Sequence, residues 1–159
     1  MGTNFYLKAK TINDISKFNV ASFELDNWIF DEDYDAYIIH IAKTSAGWLP
    51  LFQSHESITS VQDIKDAYDC GLLIVDEYGE EYDWDKFTQR VLKHNGGVVG
   101  GVPRKKYEPP KDIKSPFYDE KMIGCYVPIS HFKYGNGIYA DDYYRDRDGY
   151  EFYRRGEFC

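Results

Sequence analysis

The chain reads as an α+β domain: a largely antiparallel sheet with two principal helices and a C-terminal β-hairpin. Three observations predict it. Short apolar and aromatic runs sit between turn residues, as strands do. Two stretches place apolar residues at helical spacing behind a capping side chain. Asp148-Gly149 stands ahead of a last aromatic run as a two-residue hairpin turn. At 159 residues the prior is one domain, spanning 1–159, with a core that needs no staples.

Thr3–Lys8 alternates as a first strand. Ala36–Ala42 is a second strand and Gly47–Gln53 a third, joined as an antiparallel hairpin through Lys43-Thr-Ser-Ala46. Pro50 restricts the third strand to an edge, or its own nitrogen to a place outside the ladder. Ser60, with Asp63 three residues on, opens a helix whose Val61, Ile64, Ala67 and Tyr68 share a face and which Gly71 closes. Leu72–Val75 is an interior strand ended by the turn Asp76-Glu-Tyr-Gly79. Asp83 caps a second helix with Trp84, Phe87 and Val91 on one side and Asn95-Gly96 at its end. Residues 96–116 turn to glycine, proline and lysine and read as a long exposed loop or arm. Met122–Ile129, Gly137–Tyr144 and Tyr150–Phe158 complete the strands.

Charge is uneven. Residues 1–87 hold 17 acidic and 6 basic side chains, while 88–159 hold 10 and 13. The acidic part repels phosphate, which excludes general nucleic-acid binding and fits a basic protein surface. The run Asp31-Glu-Asp-Tyr-Asp35 is read as a solvated loop, with an interaction role as the alternative. No apolar run approaches the length of a membrane span and no charged leader precedes an apolar stretch, so the expected place is the cytoplasm. Cys70, Cys125 and Cys159 are odd in number and lack zinc spacing, so no disulfide framework, metal or cofactor is expected. Fifteen tyrosines supply rings with a polar edge, as interfaces use, and equally a tyrosine-rich core.

The segment His40-Ile-Ala-Lys-Thr-Ser-Ala-Gly-Trp48 interrupts strand-like sequence with polar groups. Lys43 as a point charge, Thr44 and Ser45 as donors and loop N–H groups suit a phosphate or carboxylate, with Trp48 stacking on a ring. The alternative is an ordinary hairpin loop with its tryptophan in the core. It is not a P-loop, since glycines do not precede the lysine at the required spacing. Gly96-Gly-Val-Val-Gly-Gly101 follows a helix rather than opening one, so it reads as a hinge. Asp76 and Glu77 end a buried strand, where a carboxylate serves proton transfer or simply closes a turn. Cys125 and His131 are the nearest nucleophile and base in sequence. The four histidines, His40, His55, His94 and His131, show no ligand spacing.

Met1-Gly-Thr-Asn-Phe-Tyr6, the His40–Trp48 segment, Asp76-Glu-Tyr-Gly79 and Gly156-Glu-Phe-Cys159 together resemble a family of small uncharacterised bacteriophage and prophage proteins. Those begin MGTNYY, carry HIGKSSAGW and a later DEYG, and end near GEFS. The resemblance implies a phage accessory origin and a ligand-binding site at His40, Lys43, Thr44, Ser45, Gly47 and Trp48, with Asp76, Glu77 and Tyr78 nearby. It implies no activity. Many relatives place a cysteine pair suggestive of zinc between the first strand and this motif, and residues 8–37 here contain none.

Three functions follow as expectations. The leading one is a phage factor that binds and inhibits a host protein, such as a defence component, through an acidic aromatic surface. The second is a binder that sequesters a nucleotide-like phosphorylated signal with Lys43 and Trp48. The third is a small nucleotide- or phosphoester-processing enzyme with His40 as acid or base and Asp76 or Glu77 orienting it or holding a metal.

Overall fold

In Thr3–Ala9 (β1), Phe5, Leu7 and Ala9 are buried and the residues between them are partly exposed, the two-residue period of a strand with one face on a core. The computed structural model describes residues 2–19, 22–45, 50–93, 104–115, 118, 120–128 and 143–154. After β1 come two short helices, α1 (Ile12–Phe18) and α2 (Ser22–Leu25), then β2 (Ile29–Asp31), β3 (Ala36–Thr44) and β4 (Leu51–Gln53). Next are α3 (Val61–Asp69), β5 (Leu73–Asp76), β6 (Glu81–Tyr82) and α4 (Trp84–Phe87), the last continuing as a π-helical turn over Thr88–Leu92. The second half adds β7 (Arg104–Lys106), β8 (Tyr126–Pro128), β9 (Tyr143–Arg145) and β10 (Glu151–Tyr153).

The strands form one ten-stranded sheet in the order β6-β5-β1-β3-β4-β10-β9-β8-β7, with β2 on β3 beside that path. Every pairing is antiparallel except β4 with β10, which runs parallel. The fold class is therefore the expected one, with the C-terminal hairpin β9–β10 in place. The core packs Phe5, Leu7, Ile39 and Ile74 of the sheet against Ile64 and Ala67 of α3, Phe87 of α4 and Val91 beyond it. Three helices, α1, α3 and α4, start on a side chain that accepts an orphan amide: Thr11 from Asp14, Ser60 from Asp63 and Asp83 from Lys86.

Several elements differ from expectation. Residues 9–35 carry two helices and a strand, because Ile15, Trp28 and partly buried Phe18 and Phe23 supply apolar contacts that the acidic composition obscures. The run at 31–35 starts inside β2, and only Glu32–Asp35 form the turn. The arm at 96–116 contains β7, so it is not loop throughout. β4 is interior; Pro50 stands one residue ahead of it, which keeps the proline nitrogen out of the ladder. The Met122–Ile129 run forms a strand only at β8, after a 3-10 turn at Glu120–Met122. Of the last two expected strands, residues 137–142 and 155–158 lie outside the described residues.

Two hairpins are closed by the same device. Asp76 accepts Tyr78 N–H at 2.9 Å and Glu80 N–H at 3.0 Å on one carboxylate oxygen; Asp146 accepts Asp148 N–H at 3.0 Å and Tyr150 N–H at 2.9 Å. In each, the glycine three residues on has positive φ and donates to the aspartate carbonyl. This makes the Asp148-Gly149 turn a three-residue loop with a glycine bulge rather than a two-residue one. The spare oxygen of Asp146 accepts Val61 N–H at 2.8 Å, so a fully buried carboxylate of the C-terminal hairpin caps α3. Tyr144 adds a hydroxyl bond to Thr59 O at 2.6 Å.

Removing a buried carboxylate strands three amides at once. Asp146→Ala is expected to cost about 2–4 kcal/mol, read as a fall in urea midpoint, while exposed Asp148→Ala costs less than about 0.5 kcal/mol. Equal midpoints for the two variants would show that this latch does not hold the halves together.

Candidate functional site

β1 lies between β3 and β5, so three motif segments distant in sequence become neighbours. Tyr6 lies opposite His40 and Val75, Asn4 opposite Lys43, and Phe5 opposite Asp76. Between Phe5↔Ala42 and Tyr6↔His40 the register skips Ile41, a β-bulge. Residues three apart in a regular strand point to opposite faces. The bulge cancels that rule and puts His40 and Lys43 on one face, with Asn4 and Tyr6.

Gly2 meets the other motif at close range. A Cβ there would sit 2.8 Å from Thr44 O and 2.9 Å from Ser45 Oγ, so only glycine lets the chain pass. Lys43 and Thr44 belong to β3 rather than to a loop. Thr44, 3% exposed, pairs with Thr3 and so faces away from Lys43. Half-buried Ser45 follows the strand. Gly47 and Trp48 lie outside the described residues, as do His94 and His131, the proposed partner of buried Cys125.

His40 is buried, its ring 5.0 Å from that of Tyr6. Its Nε2–H donates to Ala42 O at 3.1 Å. His55 Nε2–H donates to the carbonyl of His40 at 2.6 Å. Burial, opposed by the Ala42 bond and helped by the nearby His55 and Lys43, pulls the His40 pKa down to about 4. The imidazole is neutral at neutral pH and supplies no cationic grip on an anion.

Asp76 stands on the other face. Opposite Phe5 by register, its carboxylate accepts the Tyr82 hydroxyl at 2.8 Å as well as its two turn amides. Burial, then the Asp76 carboxylate, raise the Tyr82 pKa above its ordinary value. Glu77 is bound to β1: its N–H donates to Asn4 O and its Oε1 accepts Asn4 N–H, both at 2.9 Å. The carboxylates thus organise a turn, and the structure does not set Asp76 beside His40. Asn4 Oδ1 is buried with no hydrogen-bond partner among the described residues. Among the described residues no group of three or more histidine, cysteine or acidic side chains could hold a metal.

Sequence reasoning missed Tyr34, which sits in the run read as a solvated loop. Its ring lies 6.2 Å from that of Tyr6, and its hydroxyl donates to Asp76 O at 2.7 Å. That bond joins the 31–35 turn to the 76–80 turn. Asp31 of the first turn and Glu77 of the second both lie within electrostatic reach of the Tyr34 hydroxyl, while Glu80 is paired with Lys86 at 2.6 Å and Tyr78 is 74% exposed. Burial first, then the charges of Tyr6, Asp31, Asp76 and Glu77, push the Tyr34 pKa up to about 12. A tyrosine at the centre of an acidic run, able to bury its ring while its hydroxyl finds a carbonyl, was the available signal.

A histidine whose folded pKa is lowered binds fewer protons folded than unfolded, so stability falls as pH drops through the window between 6.5 and about 4. The His40 ring protons are expected to titrate with a midpoint near 4, followed by NMR, and His40→Gln should flatten the stability slope across that window. A midpoint near the ordinary 6.5 would overturn this placement. Comparison with protein-family models, curated proteins and solved structures gives no match for this chain.

Proposed function

We propose that this chain is a binding protein whose acidic, aromatic surface masks a basic surface of another protein, and that it does so as a phage factor inhibiting a host protein of the defence class. The observation that carries this reading is the Tyr34–Asp76 bond, which ties together two acidic turns 42 residues apart in sequence. Opposed charge steers encounter and selects partner, while aromatic and apolar groups supply the buried contact. Tyr78 of the second turn, and Ile29 and Phe30 just ahead of the first in sequence, are exposed. Two further features favour binding over catalysis. His40 is neutral and donates to its own strand, and the Asp76 carboxylate already accepts three donors. The phage and host-defence parts rest on the sequence resemblance alone.

None of the described helices is long and apolar enough to cross a membrane. Tagged protein drawn through lysate of the bacterial host is expected to retain one protein in stoichiometric amount, less firmly as salt rises. The double variant Glu32→Lys/Asp33→Lys should lose at least about tenfold in affinity for it. Recovery of no such protein, or equal recovery by the variant, would sink the proposal.

A further inference from the structure

The backbone of β2 is available on one side. Glu77 N–H donates to Asn4 O, so the backbone groups of Asn4 face β5, and by alternation those of Phe5, Leu7 and Ala9 face β3. Ala9 lies opposite Tyr37 and Lys8 opposite Ile38. Tyr37 therefore directs its N–H and C=O at β1, while Ala36 and Ile38 direct theirs at β2. The carbonyl of His40, in phase with Ile38, is indeed taken on that side, by His55. Phe30 lies opposite Tyr37, so its N–H and C=O point out of the sheet, where no described strand pairs with β2.

The side chains on this edge are unusual for an exposed strand end. Ile29 is 59% and Phe30 51% exposed, and the Phe30 ring is braced edge-on against Tyr37 at 5.3 Å. Proteins blunt an open edge with shortness and charge. β2 has three residues and runs straight into Asp31, Glu32, Asp33 and Asp35. That blunting is of one sign. A second copy of this chain would bring carboxylates against carboxylates, whereas a strand bearing cations meets opposite charge where the ladder ends.

We propose that β2 is a strand-addition site, taking an extended segment of the protein partner that alternates apolar with Lys or Arg residues. Phe30 supplies the backbone pair, Ile29 and Phe30 the apolar contact on the two faces, and Glu32 and Asp33 the charge. The inference rests on the acidic-surface reading above and specifies how that surface is engaged.

A synthetic peptide of alternating valine and lysine, about seven residues long as ordinary strands are, is the probe, with the full chain as receptor. Binding that weakens with salt is expected, together with a slowing of amide exchange at Phe30 by about tenfold or more when the peptide saturates. N-methylating alternate peptide amides, in one register or the other, should weaken binding about tenfold in at least one of the two series; these peptides leave the protein unaltered. Binding with unchanged Phe30 exchange would overturn strand addition and leave the acidic surface standing. Absence of binding, while the lysate partner still depends on Glu32 and Asp33, would overturn it in the same way. Protection at Phe30 without salt dependence would support strand addition and count against the charge reading.

Discussion

One extra residue in β3 decides which side chains meet. Ile41 occupies the bulge opposite Phe5, is fully buried, and shifts the phase of every residue after it. Without it Lys43 would point into the face that holds Leu7 and Ile39, where an ammonium has no place. With it, the core keeps an unbroken apolar surface and the opposite face gathers Asn4, Tyr6, His40 and Lys43. Bulges at such positions re-aim side chains at a modest local loss of ladder bonding. The layer on that face is thin: Ala36, Ile38, Val75 and His40 are buried there, apart from the main core. Tyr34, beside Tyr6, spans from it to the acidic turns.

Buried carboxylates do much of the joining elsewhere. Asp76 organises its own turn and accepts Tyr82, whose ring packs edge-on against Phe5 at 5.4 Å. Asp146 ties its hairpin to α3. Asp26, also buried, accepts both the N–H and the hydroxyl of Ser57, a bond across 31 residues. A carboxylate accepting several donors is rigid and directional, so each of these fixes two segments relative to one another. That use of acid explains part of a strongly negative composition without any external partner. Glu32, Asp33 and Asp35 differ in being exposed.

Periodicity and punctuation made the central architecture legible. Thr3–Lys8, Ala36–Ala42 and Leu72–Val75 show themselves as strands, and Ser60, Gly71 and Asp83 mark helix boundaries through chemistry that acts within a few residues. The segment from 9 to 35 was opaque because its helices are short and its apolar residues are interspersed with acidic ones, so stability there comes from packing rather than from propensity. β6 and β7 escaped notice because strands of two and three residues leave no period to detect. The motif segments announced themselves as special, and β1 does bring them together. Their pairing across faces depended on a bulge, which sequence spacing does not encode. The turn at Asp76–Gly79 was legible from its glycine, whereas the bond that Asp76 accepts from Tyr34 is a long-range fact.

The parallel pairing of β4 with β10 has a further effect on how the molecule comes into being. Leu51–Gln53 must wait for Glu151–Tyr153, a separation of 100 residues. Until that stretch leaves the ribosome, the sheet of the first half ends on an open β4 edge with Phe52 uncovered, and α3 lacks its Asp146 cap. Closing so long a loop costs entropy before it returns any contact, and such topologies form slowly. A half-made chain of this kind holds an unpaired strand edge and uncovered apolar surface until its last strands arrive.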